Sequence, residues 1–213
     1  MPSSRTIVLG THNRKKGLEL QTLLEPYGFS VQTLADFPEA LHVEETGTTF
    51  AENARLKACQ QARHLGFWTI GEDSGLMVEA LDGAPGVYSA RFSGADATDE
   101  KNNAHLLEQL RDVPLARRAA RYVCHICVAN QHGEVQFDVE AACRGRIALR
   151  PAGNAGFGYD PLFEIVEYHR TFGQLGDAVK QLLSHRGRAV RQLVPALLRQ
   201  TIRECGTERN TRA

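Results

Sequence analysis

Between two short apolar runs, FWTIG at 67–71 and LMVEAL at 76–81, the chain sets Glu72 and Asp73 side by side, followed by Ser74 and Gly75. Adjacent carboxylates are costly to bury beside apolar strands unless cations meet them, so any fold adopted here must bring positive charge to this point. The two runs read as strands flanking an acidic turn. Neighbouring side chains on strand backbone diverge, so only one of the two acids can face a given pocket. A metal bound there needs a second acid from elsewhere, and Glu44-Glu45, ahead of a Gly turn, is the natural source. Magnesium usually takes one or two carboxylates and fills its shell with water and substrate oxygens. Ser74 and Gly75 allow a close backbone approach.

The rest of the chain supplies strands and helices in alternation, then a long hairpin. RTIVLG (5–10) and SVQTL (30–34) read as strands around a helix whose Leu20, Leu23 and Leu24 recur at helical spacing. A helix over about 50–65 opens on the capping box Thr49/Glu52 and closes at Gly66. Another spans 98–113. Strands at 119–129 and 134–143 meet at NQHGE, CRGRIAL continues the sheet, and RPAGNAGFGYDPLFE (150–164) is a Gly/Pro-rich loop. Helices around 174–183 and 188–204 flank the turn SHRG, with Pro195 either kinking the last one or marking its effective start. The pattern predicts an α/β fold with a mixed sheet and helices packed on it.

Charge is balanced overall but uneven: residues 180–213 hold eight Lys/Arg against two Glu, a surplus of +6. Such a tail could bind nucleic acid, but it carries no aromatic residue for base stacking, and a solvated basic helix face is the plainer reading. No run approaches the roughly 18–20 apolar residues of a membrane span. MPSSRTIVLG does not read as a secretory signal, so a cytoplasmic protein is expected. The five cysteines are scattered. CHIC (124–127) lies on an alternating strand that points Cys124 and Cys127 to opposite faces, which reads as core packing and not as half a zinc site.

Three further stretches carry possible chemistry. VLGTHNRKK runs a strand into a helix N-terminus, where free amides and the dipole favour anions; Thr11 and Asn13 add donors and Lys16 a charge, although Asn13 also suits a plain N-cap. GFGYDP offers Phe157 and Tyr159 on flexible backbone, suited to a flat ring. SHRG presents His185 and Arg186 at a helix entry, where they could read a carbonyl oxygen.

From Ile7 to about Leu198, these stretches in their order resemble the inosine triphosphate pyrophosphatase family, the noncanonical purine nucleoside triphosphate pyrophosphatases. The resemblance rests on THNRKK, EETGTTFAENARLKA, EDSGLMVEAL with GAPGVYSARFSG, GFGYDP and KQLLSHRGRA. It implies an elongated mixed central sheet with flanking helices, forming two lobes around a nucleotide cleft within a single domain, 1–204, and leaving 205–213 as a disordered tail. It also implies a homodimer that uses Mg²⁺ to hydrolyse dITP, ITP and XTP to the monophosphate and pyrophosphate. Thr11, His12, Asn13, Arg14, Lys15 and Lys16 would line the substrate site, with Thr11, Asn13 and Lys16 on the triphosphate and Lys57 beside it. Glu44 or Glu45 would join Asp73 at the metal, and Asp73 would be the general base, with Ser74 on the substrate. Phe157, Gly158, Tyr159 and Asp160 would line the base pocket, and Lys180, His185 and Arg186 would close over the purine six-position.

The chain departs from the family pattern at His12, where Gly is usual, and at Glu72, where Asp is usual. It departs again at Asn154-Ala155, in place of paired glycines, and at Val179, in place of an acid. Rival readings are a Maf-type pyrophosphatase, a non-catalytic nucleotide sensor, and nucleic-acid binding through the basic tail.

Overall fold

The computed structural model describes the backbone of residues 6–210 and the side chains of residues 6–200. In chain order the elements are β1 (Thr6–Leu9), α1 (Arg14–Leu24), β2 (Ser30–Thr33), α2 (Phe50–Leu65), β3 (Trp68–Val78), α3 (Asp99–Gln109), β4 (Ala119–Ala129), β5 (Val135–Ile147), β6 (Phe163–Ile165), β7 (Arg170–Thr171), α4 (Phe172–Leu175), α5 (Asp177–Leu183) and α6 (His185–Asn210). They build one mixed sheet of order β2-β1-β3-β4-β5-β6-β7. β1 runs parallel to β2 and β3, and every later pairing is antiparallel.

Four local expectations need correction. Residues 72–75 are not a turn: β3 passes through them unbroken, each residue paired with β4. SHRG is not a linker, because α6 begins at His185, so Pro195 lies inside that helix and not at its start. The Gly/Pro-rich stretch ends in a short strand, β6, whose partner β7 was not anticipated. The backbone of α6 also stays helical to Asn210, past the end expected at 204, and Thr211–Ala213 fall outside the described residues.

The three long strands each serve two hydrophobic cores. Toward one end, Ile70, Cys124, Ile126, Val128 and Ala141 pack with Leu20 and Leu24 of α1 and with Val190, Leu193 and Leu197 of α6. Toward the other, Leu76, Val78, Tyr122, Cys143 and Ile147 pack with Leu106 and Leu110 and with Phe163 and Phe172. The sheet is therefore continuous while the cores are not, and the middles of β3 and β4 lie between them. On the opposite face Ala54, Ala58 and Ala62, spaced along one side of α2, meet Cys127 and Ala129. Cys124 and Cys127 thus sit in different clusters, as strand alternation requires.

Small residues bring α2 close to β3. A Cβ on Gly71 would lie 2.1 Å from the Ala54 carbonyl oxygen, so only glycine permits this approach. The helix is fixed at both ends as its sequence predicts. Thr49 and Glu52 form a reciprocal capping box, and Gly66 ends the helix in left-handed backbone at φ 73°.

Candidate active site

The alternation of β3 separates its two acids. Glu72, fully buried, accepts from Arg186 at 2.9 Å on the α6 side, and its second oxygen lacks a hydrogen-bond partner but lies 3.2 Å from Lys16 Nζ. Asp73 turns toward α2, with Oδ1 3.0 Å from Lys57 Nζ and Oδ2 3.3 Å from Asn53 Nδ2. Lys16 spans both acids, reaching Asp73 at 4.0 Å. Burial works to raise the Glu72 pKa, but Arg186, Lys16 and Lys57 together outweigh it and hold the carboxyl well below the usual range. For Asp73 burial prevails over Lys57 and Lys16, and the pKa is raised. One acid is thus locked in a cation cage, and the other faces the cleft.

β1 delivers the chain through Gly10-Thr11-His12-Asn13 into α1. Asn13 is the N-cap, its Oδ1 accepting from Lys16 N at 3.1 Å. His12 does not point freely at the cleft: its Nε2 bonds the Leu41 carbonyl at 2.9 Å and its ring lies 5.6 Å from that of His42. Gln61 donates to the same carbonyl at 2.6 Å, so the residue that replaces the usual glycine helps to hold the loop leading to Glu44 and Glu45. Arg14 is exposed, and neither it nor Lys15 lines the cleft. Lys15 instead pairs with Asp99 of α3 at 2.7 Å.

Glu45 is the acid of its pair that reaches inward, 3.4 Å from Lys57 Nζ. Glu44 lines the cleft as well, and both acids are exposed. One ammonium therefore bridges Glu45 and Asp73, so the two carboxylates converge on a single cation-sized position. Among the described residues no cluster of three His, Cys, Asp or Glu side chains could hold a metal. The donor set fits an ion that takes two carboxylates from protein and the rest of its shell from water and ligand oxygens, which is magnesium's habit.

At the far end, Lys180 and Arg186 are buried and jointly paired. Glu19 of α1 reaches Lys180 at 2.6 Å and also pairs with Arg186, while Asp160 holds Lys180 at 2.6 Å. Arg186 further donates to Ser74 Oγ at 2.9 Å, so its terminal nitrogens are already engaged. Lys180 Nζ stands 4.3 Å from the Phe157 ring centre. His185 stacks on Tyr122 at 4.7 Å, and burial, helped by the neighbouring Arg186, drives its pKa well below the usual histidine value, leaving it neutral. Gly158 is held at its carbonyl by Asn103, and the Tyr159 hydroxyl by the Ser89 carbonyl.

These groups line one cavity of about 570 Å³, which includes Thr11, His12, Asn13, Lys16, Glu44, Glu45, Lys57, Asp73, Ser74, Phe157, Gly158, Tyr159, Asp160, Lys180, His185 and Arg186. Sequence reasoning missed Glu19, Asn53 and Tyr122. Glu19 lies one helical turn after Lys16 but pairs with Lys180 and Arg186, so its local spacing gave no signal of its place in the site. Tyr122 carried no mark beyond its strand.

Fold and cleft define a class: an α/β protein whose two cores flank a binding site for an anionic, ring-bearing molecule. The Ham1 family profile matches residues 7–196, and the chain belongs to the Ham1 family. It is 51% identical over 193 residues to the dITP/XTP pyrophosphatase of Rhodopirellula baltica, covering 91% of this chain and 93% of that protein. Among solved structures, a HAM1 protein from Coxiella burnetii superposes with a TM-score of 0.83 at 36% identity, over 92% of this chain and 99% of that one. The nucleoside-triphosphatase, dITP/XTP pyrophosphatase, of Mycobacterium abscessus does so at 0.72 and 42% identity, over 90% and 99%.

Proposed function

We infer that this chain is a nucleoside triphosphate pyrophosphatase that hydrolyses noncanonical purine nucleoside triphosphates, dITP, ITP and XTP, to the monophosphate and pyrophosphate. The relatives' activities support the reaction. The observation that carries it for this chain is the convergence of Glu45 and Asp73 on the Lys57 ammonium, with Lys16 4.0 Å from Asp73, inside a cleft large enough for a nucleotide.

Thr11, Asn13 and Lys16 hold the triphosphate, aided by the positive end of α1, and Lys57 adds charge alongside. Asp73 orients a water and takes its proton. Burial raises its pKa, and Lys57 and Lys16 counter that by favouring the ionised form, as a bound cation would. Glu45 and Asp73 would hold magnesium, which when bound would neutralise the charge that collects on the departing pyrophosphate. Lys16, Lys57, Lys180 and Arg186 are each paired with carboxylates before substrate arrives, so positioning and preset charge contribute most of the catalysis.

Selectivity follows from donors at the base end. Lys180 and Arg186 are cationic donors, and neutral His185 can donate one ring N–H. A six-keto oxygen can accept from the N–H groups that the internal pairings with Glu19, Asp160, Glu72 and Ser74 leave over, whereas the amino group of adenine offers no acceptor there, a mismatch that such sites reject by roughly 10⁴-fold. A homodimer working in the cytoplasm completes the reading; among the described residues no helix is long and apolar enough to cross a membrane.

Chromatography of products from dITP, ITP, XTP, dATP, dGTP and dUTP tests this. The first three should yield monophosphate and pyrophosphate fastest. Diphosphate with inorganic phosphate, or preference for the pyrimidine, contradicts it.

A further inference from the structure

Asn53 has no assigned part in the reaction, yet it is completely buried beside the acid on which the reaction depends. Its Oδ1 accepts from the Gly47 amide at 2.8 Å, and its Nδ2 donates to Asp73 Oδ2 at 3.3 Å. The orientation of the amide is forced: an N–H can only donate, so Gly47 must face the oxygen, which leaves the NH₂ for Asp73. A side chain at position 47 is excluded as well, since a Cβ there would lie 2.6 Å from Asn53 Oδ1.

Lys57 follows Asn53 by one helical turn on the same side of α2 and makes a parallel bridge, from Glu45 to Asp73 Oδ1. The two rungs have different uses. The lysine rung carries charge and lines the cleft between Glu45 and Asp73. The asparagine rung is neutral, fully buried and not among the residues that line the cavity. It fixes the second oxygen of Asp73 and, through Gly47, the loop that brings Glu45 inward.

We propose that Asn53 is a positioning residue that aims the Asp73 carboxylate and ties it to the Glu44–Gly47 loop. This rests on the reading of Asp73 as the group that activates water. Two substitutions separate the halves of the bridge. Asn53→Ala removes both bonds. Asn53→Asp keeps an acceptor for the Gly47 amide but loses the donor to Asp73.

The test combines steady-state kinetics of pyrophosphate release from ITP with hydrogen exchange of the Gly47 amide, on full-length protein checked by thermal unfolding. Both variants should lose tenfold or more in kcat with KM within about threefold, a loss confined to the transition state. Gly47 should exchange fast in Asn53→Ala and stay protected in Asn53→Asp. If Asn53→Asp retains wild-type kcat, the bond to Asp73 does not position it, and the proposal fails. If Gly47 stays protected in Asn53→Ala, the tie to the loop is wrong. Should Asn53→Ala not fold, Asn53→Ser, too short to bridge, takes its place with the same expectation. Wild-type protein that releases no pyrophosphate from any purine triphosphate overturns the functional reading instead, and the exchange result still decides the bridge.

Discussion

At the scale of single residues, the neighbours Glu72 and Asp73 should behave as opposites when each is made an amide. Glu72→Gln leaves the buried Arg186 and Lys16 short of a counter-charge, and breaking one side of such a cluster costs about 3–5 kcal/mol. Asp73→Asn removes a carboxylate that burial already disfavours, so the melting temperature should hold or rise while kcat falls by about 10²–10⁴. Equal destabilisation by the two would refute the division of labour. His185 gives a pH signature. Its folded pKa lies below the ordinary 6.5, so the unfolded chain binds the extra proton first, and stability is lost as pH falls below that value. Unfolding free energies from urea titration at pH 7 and 5.5 should differ more in wild type than in His185→Gln, by up to about 1.4 kcal/mol per pH unit.

At the scale of elements, α2 presents both Asn53 and Lys57 to the cleft, and its seat on β3 depends on Gly71. Gly71→Ala would force the helix outward, at about 1–3 kcal/mol of overpacking, and should lower kcat as well as the urea midpoint. An unchanged kcat would mean the helix position does not matter to the chemistry. This helix was fully legible in sequence because Thr49, Glu52 and Gly66 mark both ends. β3 was not, because Glu-Asp-Ser-Gly has the composition of a turn. Pairing with β4 along its whole length, and cations arriving from α1, α2 and α6, override that local preference. β6 and β7, at three and two residues, are too short for any periodicity to show. Glu19 joins Lys180 and Arg186 across most of the chain, a contact that no local spacing encodes.

At the scale of the whole molecule, two cores on one sheet leave the cleft between them bordered by parts of both. Lys15 of α1 pairs with Asp99 of α3, joining helices that pack in different cores, but both side chains are substantially exposed. Lys15→Ala should therefore cost no more than about 1 kcal/mol in unfolding free energy. A larger loss in urea denaturation would make this pair a structural strut. The basic tail dissolves into separate tasks at this scale. Lys180 and Arg186 are buried in the cleft, and Arg191 binds the carbonyls of Gln181 and Leu182 at the end of α5, so among the described residues these three charges do not form one continuous surface.

The decisive measurement is calorimetric titration of magnesium into protein saturated with a non-hydrolysable α,β-imido inosine triphosphate, for wild type, Glu44→Gln, Glu45→Gln and Asp73→Asn. Loss of Glu45 or Asp73 should weaken magnesium at least about tenfold, the loss that even outer partners of metal ligands cause, while loss of Glu44 should change little. Undiminished binding in both Glu45→Gln and Asp73→Asn would contradict the shared-cation site.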